Sequence, residues 1–594
     1  MKIRVPLLLS QAVMTTSRSL ITAAVTVACI SAFSLPSTFA QDTTDNKTKT
    51  VSPDQTKRSS RLGMPQMSGA RVAYSNSLSR TLETSKKKVD STPKPPEQVV
   101  PSPNESTLKV GGVTFIGNSI FSSKVLGDIV ASDVGKKLSF GQIKAMASKV
   151  ESYYHSKGYQ IAKVVIPKQE MRPGGVLKIQ ILEGRLGQVK VSGNKRYSSK
   201  RVADTFSYFT DKDKAFTLSD IERPLVLLNS RSGISVNSTL APGAQTGQTD
   251  VEIEVKEDPR ITGSIEANNF GSVDSGEYRV IPYLTLPNIT GAGDELSFFG
   301  VISPDSIDSW YWQTGYVRPI DSSGTSLNTY FGKGKNQVGN DYAILDIKGE
   351  NSSWGVGASR RIIYSARTSL DLQSWFEWQD MDQKMLGFTT SQDNIRKIRI
   401  GANFDHTDSS GRTFLSFNIH QGLGELMGGM DNNDVYSSRA YAKADNQFTK
   451  AVFGLMRMQR FTPRSYGILN FTGQYSTDAL VSGEQMYSGG ANTVRGQPQS
   501  CYMGDSGFLI NAEIRFSVLP ETSRLQLAAF FDHGQTNLKR PLVGQKSWRS
   551  LSGTGVGVRS EIIKGLDVRF DVAVPVGPRC GDSCYLYGQM RYNF

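Results

Sequence analysis

Over residues 260–594, apolar and polar side chains alternate along short runs. In "LINAEIRFSVLP", Ile510, Ala512, Ile514, Phe516 and Val518 share one face, and Asn511, Glu513, Arg515 and Ser517 share the other. "LDVRFDVAVPVG" sets Leu566, Val568, Phe570, Val572 and Val574 against Asp567, Arg569 and Asp571. "SLDLQSWFEWQD" and "RKIRIGANFDHTD" repeat the scheme, and this period of two predicts β-strands. A single such strand fits a soluble sandwich equally well. A polar face charged at nearly every position and sustained over this length fits a closed membrane barrel, with lipid on one side and a wet lumen on the other. Transmembrane strands take about 10 residues, and about 21 residues per strand with its connection gives roughly sixteen strands; twelve or eighteen stay open on the same arithmetic. "YLYGQMRYNF" continues the pattern, with Leu586, Gly588, Met590, Tyr592 and Phe594 on one face. An aromatic C-terminus on such a strand, here Tyr592 and Phe594, is the usual end of a bacterial outer-membrane barrel.

Upstream the period changes. From residue 109, strand-like and helix-like runs follow one another. Val113 and Phe115 alternate before the turn "GNS", and Ile143, Ala147, Val150 and Tyr154 fall on one helical stripe. Ser139 and Gln142 have capping-box spacing ahead of that stripe, and Gly158 supplies its stop. "QIAKVVIP" and "VLKIQILEG" read as paired strands joined by "RPGG". Residues 185–259 repeat the plan: "GN" followed by "SSK" recurs, "TLSDIERPLVLLN" is a second capped helix, and "TDVEIEVKEDP" closes the unit. Two α+β modules, 109–184 and 185–259, are therefore expected ahead of the barrel at 260–594.

The first 108 residues carry no such pattern. Lys2 and Arg4, the apolar stretch "LITAAVTVACISAF" and the small-residue ending "STFAQ" read as a signal peptide cut after Ala40. Cys29 within the stretch leaves a lipoprotein signal open, although Thr26 stands where Leu is usual. Residues 41–108, rich in Ser, Thr, Lys, Asp and Pro, read as a polar arm or linker with a short helix possible in 60–90. Past residue 40 no run of 18 apolar residues offers a membrane helix. The formal charge of +14 fits lipopolysaccharide, nucleic acid or plain solvation alike and decides nothing.

Candidate chemistry is sparse. Cys580 and Cys584 in "PRCGDSCYLY" are expected to form a small disulfide loop in an oxidising compartment, leaving Cys501 as a free thiol. No histidine lies near them, so no metal site is expected. "GDSG" (504–507) resembles a serine-protease nucleophile segment, but His155, His406, His420 and His533 suggest no triad. "GTGVGV" has no helix after it and reads as strand glycine, and neither HExxH nor a P-loop occurs.

One loop stands out. "YSGGANTVRGQPQSCYMGDSGF" places Arg495 among glycines and small polar residues between two predicted strands. With the tandem modules and the barrel, this loop resembles the two-partner secretion transporters of the haemolysin secretion/activation family. Those proteins carry two POTRA domains before a sixteen-stranded outer-membrane barrel, and a long extracellular loop with a Val-Arg-Gly-aromatic motif folds back into their lumen. Here "VRGQ" supplies Val494, Arg495 and Gly496, with Gln497 in the aromatic position. The resemblance implies a plug loop around 487–507 whose arginine pairs with an aspartate in a Phe-x-Asp-x-Gly-like setting. "LQLAAFFDHGQ" offers Asp532 and Gly534 for that setting. Periodicity allows the pairing, since Leu525, Leu527, Ala529 and Phe531 on one face put Asp532 with Gln526 on the other.

The resemblance further implies capture of an unfolded, large, β-rich exoprotein by the modules and its export through the lumen. Outer-membrane lipid with its lipopolysaccharide, and the barrel-assembly machinery during biogenesis, are the other partners it implies. It implies no nucleic-acid partner, cofactor or enzymatic activity. Candidate client contacts are Ile161, Val164, Val165 and Ile166 with Ile143 and Val150 of the helix, although the same residues also suit the module's own core. A barrel-assembly factor of the same superfamily and a passive porin or receptor are the alternatives.

Overall fold

The computed structural model describes residues 107–594, apart from 171, 212, 307, 432–433 and 520–523. The expected signal peptide and nearly all of the polar arm lie outside the described residues.

The first module runs β1 (Thr107–Lys109), β2 (Gly112–Ile116), α1 (Ser123–Val130), β3 (Lys137–Ser139), α2 (Phe140–Ser156), β4 (Lys163–Val165) and β5 (Val176–Leu182). β5 is central, parallel to β2 and antiparallel to β4, so β4 is an edge strand. α2 starts on a capping box: the Gln142 N–H donates to Ser139 Oγ (3.3 Å) and the Ser139 N–H donates to Gln142 Oε1 (2.9 Å). Its apolar stripe buries Ile143, Met146, Val150 and Tyr154 against Leu177, Ile179 and Ile181 of β5.

This packing corrects the list of client contacts. Ile143 and Val150 are core residues with 5% and 0% of their surface exposed, and Val164 and Ile166 pack against the same core. Ile161 packs against the core of the second module. Only Val165, of these six, turns outward, from the β4 edge. The α2 stripe faces inward because one face of a short sheet must be covered to bury it.

The second module repeats the plan with β6 (Arg185–Ser192), α3 (Ser199–Phe209), α4 (Leu218–Asn229), β7 (Ile234–Pro242) and β8 (Gln248–Glu257), in the order β6-β8-β7. The repetition extends to a carboxylate clamp that the pattern of apolar residues did not reveal. Glu183, just after β5, accepts hydrogen bonds from the Ser119 and Ile120 N–H groups (2.7 and 2.9 Å) and from Tyr154 Oη (2.8 Å). Glu257, at the end of β8, accepts from the N–H groups of Lys195, Arg196 and Tyr197 (2.8, 2.6 and 2.9 Å) and from Arg196 Nε (2.8 Å). In both modules the carboxylate satisfies the bare donors of the "GN" turn just before a helix. Asn118 and Asn194 pin the same turns by donating to Phe121 O and Tyr197 O.

Among the described residues, sixteen antiparallel strands close into a barrel. No described helix is long and apolar enough to cross a membrane. The strand Tyr585–Asn593 pairs with Thr262–Asn268 and closes the wall, and Phe594 and Gly263 exchange two backbone hydrogen bonds of 3.0 Å beyond it. Tyr592 and Phe594 point outward, half exposed and stacked on each other. Alternation divides the wall strands between 506 and 575 as period two requires: Ile514, Phe516, Leu527, Phe531 and Val556 face outward, while Arg515, Gln526, Asp532, Arg559 and Asp571 are buried inside.

Turns at one end of the barrel are short, and the second module docks on them. Ser232 Oγ donates to Glu295 (2.6 Å), Arg231 Nη2 to Asp321 O (3.0 Å), and the Ala366 N–H to Glu222 (2.7 Å). The long connections 423–448 and 477–505 are at the opposite end.

Candidate functional site

Residues 477–505 join the strands Ser465–Ser476 and Ser506–Ser517, and the segment turns back into the lumen rather than out into solvent. It carries a short hairpin, Met486–Ser488 paired with Tyr502–Gly504. Leu480, Val481, Val494 and Gln497 are completely buried. A polar segment held among lumen-facing charges must have its own charges matched, and three anchors do this.

The first anchor is Glu484. Its carboxylate pairs with Lys397 and Lys450, the latter at 2.6 Å, on the strands Phe388–Thr407 and Thr449–Arg460. The Glu484 carbonyl also accepts from Lys450 Nζ (2.9 Å) and Gln474 Nε2 (3.1 Å).

The second is Arg495 at the loop tip. Nε donates to Asp532 Oδ2 (2.6 Å) and Nη2 to Asp532 Oδ1 (2.9 Å), a two-pronged contact that only a planar guanidinium makes. The Arg495 N–H adds a third bond to Asp532 (3.1 Å). Nη1 donates to Glu513 (2.7 Å) and lies 3.6 Å from Asp571, and the guanidinium carbon sits 3.4 Å from the centre of the Phe530 ring. Glu513 and Asp571 are held in turn by Arg515, Arg559 and Arg569.

The third anchor is Asp505 at the loop's end. It pairs with Arg439 of the 423–448 connection and accepts from the N–H groups of Leu480 (2.9 Å) and Lys539 (2.7 Å) and from Gln485 Nε2 (3.1 Å). One carboxylate thus ties both long connections to the 538–547 turn that follows the strand Leu525–Asn537.

The remaining residues of "VRGQ" fit the same cradle. Val494 lies against Gly534, where an added Cβ would stand 3.0 Å from a Val494 methyl and 2.4 Å from Ser488 Oγ. Gly553 of "GTGVGV" admits the Arg495 carbonyl, which an added Cβ would overlap at 1.8 Å. These two wall glycines leave the space that the loop fills. The Gly496 N–H donates to Tyr587 Oη (3.2 Å). Gln497 makes polar contacts in place of aromatic packing: Nε2 donates to Ser552 O (3.2 Å) and Pro578 O (3.0 Å), and Oε1 accepts from the Cys580 N–H (3.2 Å).

The cysteines pair differently from the expectation. Cys501 is bonded to Cys580, 79 residues away with Cα atoms 6.2 Å apart, and among the described residues Cys584 is the free, exposed thiol. Short sequence spacing favoured Cys580 with Cys584. The folded-back loop brings Cys501 to the 576–584 connection, to which Gln497 is also hydrogen-bonded. Glu484 and Asp505 were missed as well. Asp505 stood in the sequence only within the protease-like "GDSG", and Glu484 lay in an unpatterned stretch; a charge in a loop has no period to betray its partner.

A charged-lumen barrel with α+β modules docked at its short-turn end and a loop ion-paired inside its pore defines a class: outer-membrane channels for polypeptides. Within that class the chain belongs to the haemolysin secretion/activation family ShlB/FhaC/HecB, which matches residues 247–560, with a ShlB-type POTRA domain matching 108–184. It is therefore an outer-membrane transporter of the two-partner secretion kind, with its POTRA domains in the periplasm.

Among its relatives, the heme/hemopexin transporter protein HuxB of Haemophilus influenzae (strain 86-028NP) is 25% identical over 418 residues, covering 69% of this chain and 72% of HuxB. The outer membrane transporter CdiB of Dickeya dadantii is 22% identical over 428 residues, covering 70% of this chain and 74% of CdiB. The solved structure of CdiB from Escherichia coli superimposes with a TM-score of 0.69 at 19% identity, over 89% of this chain and 98% of that one. The structure of BamA from Haemophilus ducreyi lacking POTRA domains 1–3 matches the fold with a TM-score of 0.50, over 82% of this chain and 100% of that one.

Proposed function

We propose that the chain captures one large, unfolded exoprotein through its periplasmic modules and passes it through the lumen, with 477–505 as the movable plug and Arg495–Asp532 as its main latch. The observation that carries this reading is the position of Arg495: a cation on a connecting loop, 5% exposed, held by wall carboxylates that could not stay unpaired without cost. A permanent stopper would need no such polar seat, since well-packed apolar residues of the same volume serve stability equally well. Ion pairs can be exchanged for water as the loop withdraws, which suits a gate. The outer edge of β4, where Val165 turns outward and the Val164 N–H is held by Glu151 of α2 (3.0 Å), is the place where an extended client can add a strand by displacing that carboxylate. On this reading the protein transports and catalyses no reaction.

The test is Arg495→Ala in cells that also express the large exported protein of a neighbouring reading frame. A barrel that assembles normally but no longer releases the partner into the medium supports the latch, and release at the wild-type rate overturns it.

A further inference from the structure

Besides its three polar anchors, the plug has a covalent one. The Cys501–Cys580 disulfide fastens the end of the loop to the 576–584 connection, at the barrel end opposite the modules. Ion pairs and hydrogen bonds break and re-form as a loop moves, but this bond does not. The free thiol of Cys584 lies four residues beyond Cys580 on the same connection, and both residues are exposed. Gly581, Asp582 and Ser583 separate them, and a disulfide needs Cα atoms within about 7 Å, a distance so short a segment can reach.

Resting on the reading that the loop leaves the lumen, we propose that Cys584 is an exchange thiol that unties the plug. Cys584 loses its proton to solvent, and its thiolate attacks Sγ of Cys580. The Cys580–Cys584 bond forms as the Cys501–Cys580 bond breaks. The electron pair leaves on Cys501 Sγ, which takes up a proton. One disulfide and one thiol stand on each side of the step, so no outside oxidant or reductant is consumed. In the first state the disulfide spans 79 residues and ties the plug down. In the second it closes a small ring within the 576–584 connection, and the loop is held only by its ion pairs and hydrogen bonds. Gln497 bonds to the Cys580 N–H, so the exchange takes place beside the loop tip.

The purified full chain is incubated without reductant, quenched with N-ethylmaleimide, digested with trypsin and mapped under non-reducing conditions. Cleavage after Arg495, Arg515, Arg579 and Arg591 puts Cys501 on one peptide and Cys580 with Cys584 on another. The tied state therefore yields a crosslinked pair, and the exchanged state yields two separate peptides with maleimide on Cys501. Wild type is expected to give both patterns, and Cys584→Ser the crosslinked pair alone. In planar bilayers Cys584→Ser is expected to open several-fold less often than wild type, and Cys501→Ser several-fold more often.

Wild type labelled on Cys584 alone overturns the exchange, and so does Cys501 labelled in Cys584→Ser. Both patterns in wild type combined with equal opening of wild type and Cys584→Ser overturn its part in plug release. Arg495→Ala keeps Cys501, Cys580 and Cys584, so failure of the plug reading appears separately, as unchanged export in that variant.

Discussion

The Arg495 guanidinium and the Asp532 carboxylate meet edge to edge, Nε to Oδ2 at 2.6 Å and Nη2 to Oδ1 at 2.9 Å, although 37 residues separate them in the chain. The shape of the contact matters as much as its charge. A lysine at the same place keeps the cation but has no fork. Arg495→Lys is therefore expected to insert and assemble normally yet to open more often than wild type in planar bilayers. Equal opening of the two proteins would show that charge alone seats the loop tip.

Glu484 is the sole carboxylate paired with both Lys397 and Lys450 among the described ion pairs. Glu484→Gln leaves two buried ammonium groups under-compensated, at a cost on the order of 3–5 kcal/mol to the seated state. The expected result is protease cleavage within 477–490 in outer-membrane vesicles under conditions that leave wild type intact. Adding Lys450→Met, which removes one of the stranded charges, is expected to restore part of the protection.

Gln497 makes three hydrogen bonds to the wall and the 576–584 connection. Gln497→Leu removes them and leaves backbone groups unsatisfied, a loss of about 1 kcal/mol per bond. Hydrogen exchange at residues 494–501 should quicken while exchange in the strand Leu525–Asn537 stays unchanged. Uniform quickening across both would mean that the residue supports the barrel rather than the plug.

The Glu257 clamp predicts an acid limit for the second module. Burial alone would raise this carboxyl, but the Tyr197 and Arg196 N–H groups, the Arg196 side chain and the Lys195 N–H together hold it down to about 2, against an ordinary 4.5. The folded form thus keeps its charge where the unfolded chain takes up a proton. The clamp's stabilisation is complete above about pH 4.5 and drains away as the pH falls toward 2. Protection factors of the amides at 195–197 in the full chain should fall over that window, and Glu257→Gln should flatten the fall. An unchanged profile in the variant would remove Glu257 as the cause.

Much of the architecture is written in local patterns. The Ser139–Gln142 box, the recurring "GN…SSK" turns and the strict alternation of strands such as 525–537 all act between near neighbours, and near neighbours are what a sequence displays. Asp532 could be assigned to the inner face for the same reason, from the parity of Leu525, Leu527, Ala529 and Phe531. The cysteine pairing could not, because it depends on where a long loop travels after the barrel has closed. Ile143 and Val150 misled in the opposite direction: an apolar helical stripe marks a buried face, and its own sheet is a nearer cover than any client. Glu183 and Glu257 escaped notice because each caps a turn about sixty residues away.

The wall cluster around the latch has one more consequence. On the latch reading, withdrawal of Arg495 leaves Glu513 and Asp571 paired with Arg515, Arg559 and Arg569, and leaves Asp532 without a partner among the described ion pairs. The cluster then has as many cations as anions, but one of its carboxylates, Asp532, stands bare toward the passage. A chain threading past would therefore meet a vacated carboxylate that its own lysines and arginines can occupy in turn, standing in for the withdrawn Arg495.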